Sequence, residues 1–269
     1  ITYAQGIDLN STNTNGFQEA INIAKNSDVI VAVMGENENQ TGEAASQTNI
    51  DLPGNQKELL KELKKLGKPI VLVLMAGRPM TISWEQENMD AILYTWYPGT
   101  MGGLAISDVL YGKYNPSGKT PMTFPRSVGQ IPIHYNQKNT GRPYLGDADA
   151  EQKYKSRYTD SPNSPLYPFG YGLSYTSFDY SNLKLNKTTL KNGTDEIKIT
   201  VDVKNTGNFD GEEVVQLYVH DLVGSVTRPV RELKGFDKVM IKKGETKSVS
   251  FTLTPEDLKF HDINMKYVA

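Results

Sequence analysis

Apolar residues in the first half of the chain recur at two periods. Phe17, Ala20, Ile21 and Ala24 return at helical spacing, with Thr14 or Asn15 placed to cap the helix. Val29-Ile30-Val31-Ala32-Val33-Met34 is an unbroken apolar run, the pattern of a parallel strand covered on both faces. Leu59, Leu60, Leu63 and Leu66 mark a second amphipathic helix, and Gly67 is placed to end it. Ile70-Val71-Leu72-Val73-Leu74-Met75 reads as a second buried strand, Ala91-Ile92-Leu93-Tyr94-Thr95-Trp96 as a third, and residues 102–110 as a helix after it. This order predicts right-handed crossovers and a mainly parallel sheet, an α/β three-layer sandwich.

From about Phe178 the period changes to two. Ile197, Ile199, Val201 and Val203 alternate with polar residues, as do Val215, Leu217 and Val219, and Val249, Phe251 and Leu253. Asn205-Thr206-Gly207 and Lys243-Gly244-Glu245 supply turns between them. Short alternating strands at this spacing predict a small all-β sandwich. Between the halves runs a stretch rich in Pro, Gly, Asn, Tyr and Ser. A connection that long is usually functional or wraps between domains. The expected division is 1–135 for the α/β domain, 136–176 for the connecting wrap and 177–269 for the β domain.

Composition removes several function classes. The 269 residues carry a net charge of −2 with mixed signs, so nothing favours a nucleic-acid partner or an anionic membrane. No apolar run is long enough to span a bilayer. There is no cysteine, which excludes disulfides and thiolate chemistry. His134, His220 and His261 stand far apart and outside any metal-binding spacing, so neither a metal nor a cofactor is expected. Ile1-Thr2-Tyr3-Ala4 has the look of a cut end rather than a targeting signal.

The candidate chemistry lies after the first strand. Residues 35–47, Gly-Glu-Asn-Glu-Asn-Gln-Thr-Gly-Glu-Ala-Ala-Ser-Gln, hold Glu36, Glu38 and Glu43 and no lysine or arginine. A strand-to-helix connection normally takes ~2–6 residues, and here the next helix begins only near Gly54. Ligands of parallel α/β sheets bind beyond the C-terminal strand ends. Crowded carboxylates raise one another's pKa, and a general acid needs a raised pKa. On spacing alone, a solvated acidic loop is the simpler reading. Arg78, after a strand and Gly77, could reach a ligand or form an ion pair, with the ion pair favoured. Trp96 and Tyr97 end a strand and suit either stacking on a sugar face or core packing. Asp51 is expected to cap the helix that follows Pro53.

Several stretches together resemble family 3 glycoside hydrolases, the β-glucosidase and β-xylosidase group. They are Tyr167-Pro168-Phe169-Gly170-Tyr171-Gly172-Leu173-Ser174-Tyr175 and Trp96-Tyr97-Pro98-Gly99 with Gly102-Gly103. Asn115-Pro116-Ser117-Gly118-Lys119, Gly211-Glu212-Glu213-Val214-Val215-Gln216-Leu217-Tyr218 and Glu232-Leu233-Lys234-Gly235-Phe236 continue the series. The resemblance implies a barrel-like domain carrying a nucleophilic Asp, then an α/β sandwich carrying an acid/base Glu, then a fibronectin type III-like (immunoglobulin-like) domain. The barrel and the opening strands of the sandwich are expected to lie outside this chain, as is the closing strand of the β domain. An incomplete sandwich leaves a sheet edge open. Lower stability or exchange with a second copy, a homodimer, is then expected.

The family's Gly-Glu-Ala-x-Ser-Arg pattern falls on residues 42–47, making Glu43 the implied acid/base. Gln47 stands where the family has Arg, which removes a cation from the site. Glu36, Ser46, Gln47, Trp96 and Tyr97 are the expected sugar contacts. The implied substrate is a β-linked oligosaccharide or aryl β-glycoside, cleaved with retention. The implied location of the whole protein is periplasmic or secreted. The competing expectation is a non-catalytic carbohydrate-binding or scaffolding module.

Overall fold

The computed structural model describes residues 1–143 and 154–269; residues 144–153 of the expected connecting wrap lie outside the described residues. The chain forms two compact units. One comprises Ile1–Ser107, Thr123–Ile133 and Pro165–Tyr167; the other comprises Asp108–Met122, His134–Ser164 and Pro168–Ala269.

The first unit follows the apolar pattern closely. Its elements are α1 (Phe17–Lys25), β1 (Ile30–Gly35), α2 (Gln56–Lys64), β2 (Ile70–Met75), α3 (Ser83–Asn88), β3 (Ala91–Tyr94) and the start of α4 (Gly102–Leu110). The strands form one parallel sheet in the order β1-β2-β3, with Met34 opposite Leu74 and Leu74 opposite Tyr94. Ile30, Ala32 and Met34 of β1 and Ile70, Leu72 and Leu74 of β2 share a face. They pack with Phe17 and Ala24 of α1 and Leu59, Leu60 and Leu63 of α2. Full burial of each large side chain here is worth about 1.5–3 kcal/mol. The apolar pattern does not predict the α3 helix. Its six residues, Ser-Trp-Glu-Gln-Glu-Asn, are too few for a 3.6 period to register.

One expectation changes at β1. The unbroken apolar run predicts cover on both faces, yet Val31 is 48% exposed and Val33 is 56% exposed. The strand order explains this. Strands added in one direction through right-handed crossovers place the connecting helices on the same face. The opposite face of β1 therefore has no covering layer among the described residues.

The end of β1 is tightly specified. Gly35 has φ +140, and a Cβ there would overlap the Met75 carbonyl oxygen. The fully buried Gln56 accepts from Gly35 N–H at 2.8 Å and donates to the Gly35 carbonyl at 2.8 Å. Glu36 N–H still donates to Met75 at 2.9 Å, so the chain leaves the sheet immediately after Glu36.

The second unit contains β4 (Phe178–Leu185), β5 (Ile197–Asn205), β6 (Gly211–Val219), β7 (Glu232–Ile241) and β8 (Thr246–Leu253). They form antiparallel sheets β4-β5-β8 and β6-β7, with Val203, Val215, Ile241 and Val249 buried at their centre. Residues 114–119 lie against β6. Tyr114 donates to Glu212 at 2.8 Å, Asn115 to the Asp210 carbonyl at 3.0 Å, and Lys119 pairs with Glu213 at 3.1 Å. Asn205 is fully buried; its amide donates to the Phe209 and Ile241 carbonyls at 2.8 and 2.9 Å and accepts from Thr176 at 2.6 Å.

Candidate functional site

The loop after β1 has a definite shape. Glu36 is buried, and its side chain is only 2% exposed; Arg78 Nε lies 3.1 Å from its Oε1. Arg78 comes from the loop just beyond the central strand β2, so the expected ion pair is the one that forms. Its Nη2 donates to the Gln40 carbonyl and, at 3.1 Å, to the Ala45 carbonyl. The Tyr97 hydroxyl donates to the Asn37 carbonyl at 3.3 Å, and Gln47 Nε2 donates to the Gln40 carbonyl at 3.4 Å. Gly77 permits this approach: a Cβ there would overlap Thr41 Oγ1 and come within 3.0 Å of the Tyr97 ring.

Between these fixed points Glu43 is carried on a tight turn. Ala45 N–H donates to the Gly42 carbonyl at 3.2 Å, with φ +112 at Gly42 and +60 at Ala44. A positive φ at alanine is disfavoured and is held here by the surrounding bonds. Glu43, Ser46 and Gln47 are exposed, and Glu43 makes no hydrogen bond or ion pair among the described residues. The three acidic residues thus separate by environment. Glu36 is buried and paired, Glu38 is exposed beside Asn39 at 3.4 Å, and Glu43 projects alone from the turn.

The expected sugar contacts separate in the same way. Glu36 presents almost no surface, its carboxylate turned onto Arg78. Trp96 packs edge-on to Tyr94 at 5.0 Å and Phe124 at 5.9 Å, and its φ is +54. It belongs chiefly to an aromatic cluster that also holds Tyr167, 5.8 Å from Phe124. Tyr97 is exposed beside the loop. Burial, and after it the Glu36 carboxylate, pushes the Tyr97 phenol above its ordinary value. Tyr94, whose hydroxyl donates to the Arg78 carbonyl, is raised further, again first by burial.

Asp51 does not cap α2. The N-cap is Asn55, and Asp51 instead accepts from the Thr81 hydroxyl. The chain reaches α2 through a turn at Gly54, with φ +58, which displaces Asp51 from the helix end. A nearby cleft of about 520 Å³ is lined by Thr48, Asp51, Lys57, Trp84 and Arg126 among others. Lys57 pairs at 3.5 Å with the fully buried Glu85. Sequence reasoning did not single out Glu85, because no charge pattern or motif distinguishes it from exposed Glu87. Among the described residues, no group of three or more His, Asp or Glu side chains converges to hold a metal.

A parallel α/β domain with an acidic loop beyond its strand ends, followed in the chain by an antiparallel fibronectin type III-like sandwich, is the class defined by fold and site together. The chain belongs to glycosyl hydrolase family 3: the model for the Glycosyl hydrolase family 3 C-terminal domain matches residues 1–175, and that for the Fibronectin type III-like domain matches residues 213–269. A "Periplasmic beta-glucosidase" of Salmonella typhimurium is 52% identical over 251 residues, covering 93% of this chain and 32% of the relative. A "Beta-xylosidase" of Formosa agariphila is 44% identical over 270 residues, covering all of this chain and 36% of the relative. Among solved structures, a beta-glucosidase from Listeria innocua in complex with glucose matches with a TM-score of 0.92 at 40% identity, covering 97% of this chain and 36% of that one. The chain therefore spans about a third of the length of the relatives it matches.

Proposed function

We propose that these residues supply the acid/base part of a retaining exo-β-glycosidase and that Glu43 is the acid/base. The reading rests chiefly on the isolation of Glu43, an exposed carboxyl held on a tight turn at the C-terminal end of β1, while Glu36 is consumed by its ion pair. In the first step the Glu43 carboxyl protonates the glycosidic oxygen as the sugar–oxygen bond breaks, and a second carboxylate attacks the anomeric carbon. Retention requires the two carboxyl groups to stand ~5–5.5 Å apart. The family resemblance assigns that nucleophile to an Asp of a barrel-like domain, which we place in the part of the protein that these 269 residues do not include. In the second step the Glu43 carboxylate takes a proton from water as the water releases the sugar, restoring the acid.

Ser46, Gln47 and Tyr97 are the proposed sugar contacts. All three are exposed around the turn, and Tyr97 offers both a ring face and a hydroxyl. The substrate class is a terminal β-glycosyl residue of an oligosaccharide or aryl glycoside, as the names of the relatives suggest. A periplasmic or secreted location is proposed on the same footing. The proposed division remains an α/β domain over 1–135, a connecting stretch over 136–176 and a β domain over 177–269.

The test is substitution in the full-length protein. Glu43→Gln is expected to slow turnover of an aryl β-glucoside by at least ~10²-fold, the usual worth of general acid/base help. Glu38→Gln is expected to leave it within a few-fold, serving as the control for loop charge. A small effect of Glu43→Gln, or a larger one of Glu38→Gln, sinks the assignment. A binding or scaffolding module would show no turnover in either background.

A further inference from the structure

We infer that Arg78 is a positioning residue for Glu43, and that the buried Glu36–Arg78 pair exists to hold the acid/base turn at a fixed height above the sheet. This rests on the assignment of Glu43 made above. The bonds along the loop are arranged for that purpose. Residues 37–47 contribute nothing to the sheet, so a small number of contacts sets their path. Arg78 makes two of them with one nitrogen. Nη2 reaches the Gln40 and Ala45 carbonyls, which bracket Gly42, Glu43 and Ala44. A planar guanidinium can bond to separated acceptors in fixed directions; an ammonium on a flexible stem cannot reproduce that fork.

The clamp is itself rigid. Arg78 follows the central strand β2, and its carbonyl accepts from the Tyr94 hydroxyl at the end of β3. Its Nε faces Glu36, the first residue beyond β1. Three adjacent strand ends thus fix Arg78, two through its main chain and one, at Glu36, through its guanidinium. Glu36 is 2% exposed and Arg78 is 21% exposed, so removing either partner leaves the other charge poorly solvated. Gly77 completes the device, since a side chain there would push Thr41 and Tyr97 off the loop. The positive φ at Ala44 needs such an external restraint, because an unrestrained turn would relax toward ordinary backbone. Without the clamp, Glu43 keeps its chemistry but loses its aim. A displacement of about 1 Å at a reacting group can cost ~10²-fold in rate.

The test uses the full-length enzyme and substrates that differ in their need for an acid. An alkyl β-glucoside requires protonation of its leaving group, whereas a 2,4-dinitrophenyl β-glucoside leaves without it. Arg78→Ala is expected to lower kcat/KM on the alkyl glycoside by ~10²-fold while changing the dinitrophenyl glycoside by less than ~3-fold. Added guanidinium ion is expected to restore part of the alkyl activity. Arg78→Lys keeps the charge but not the fork, and an intermediate loss of ~10-fold is expected; it carries the test alone if Arg78→Ala does not fold. Equal losses on both substrates, or no loss on either, overturn the inference. If Glu43→Gln itself lacks the leaving-group signature, the acid/base assignment fails. If Glu43→Gln has the signature and the Arg78 variants do not, only the positioning role fails.

Discussion

At the scale of single residues, environment separates side chains that the sequence presents as equals. Glu36, Glu38 and Glu43 lie within eight positions, and only their partners distinguish them. Glu85 extends the point. It is fully buried, with Lys57 at 3.5 Å and Asp51 adding a weaker repulsion. Desolvation therefore raises its pKa above the ordinary carboxylate range, and its own backbone N–H and, after it, Lys57 only partly oppose this. A carboxyl whose folded pKa is raised binds its proton more tightly in the native state, so its stability contribution falls as pH rises above the unfolded value. Glu85→Gln should thus stabilise the first unit little near pH 4. Its advantage should grow as pH rises through the raised value, then level off. A gain of about 1 kcal/mol would lift Tm by ~4 °C. Paired melts at pH 4 and pH 8 check this, and an equal gain at both values would contradict it.

At the scale of elements, most of the architecture was legible because period and length speak clearly for long segments. β2 and α4 occur where their apolar patterns place them, and the alternation of β5, β6 and β8 marks the second unit. The misses have physical causes. The α3 helix is too short to show a period, and the open face of β1 depends on strand order, which an apolar run does not encode. The candidate loop was legible in location, since a long acidic βα loop stands out against short connections. Its internal logic was not. That Arg78 would choose the Gln40 and Ala45 carbonyls, or that Trp96 would pack on Tyr94 and Phe124, depends on segments brought together only by folding.

The motif Asn205-Thr206-Gly207 yields a second element-scale prediction. Asn205 bridges the end of β5 to the Phe209 and Ile241 carbonyls and to Thr176, all from a fully buried position. Asn205→Ala leaves several of these groups unsatisfied, each at about 1–3 kcal/mol. A loss of roughly 3 kcal/mol from the β unit is expected in chemical denaturation, and a loss under ~1 kcal/mol would mean water replaces the amide.

At the scale of the molecule, the chain corresponds to about a third of its relatives, and no helix among the described residues is long and apolar enough to cross a membrane. The proposed acid/base carboxyl then needs a nucleophile from the rest of the protein. That makes one chemical experiment the most direct. In the full-length protein, Glu43→Ala should accumulate a glycosyl-enzyme from a 2,4-dinitrophenyl β-glucoside, because water lacks its base. Azide needs no base, so its addition should accelerate turnover and yield the β-glucosyl azide, with configuration retained. Absence of azide rescue, or rescue that instead follows substitution of Glu38, would contradict the assignment of Glu43.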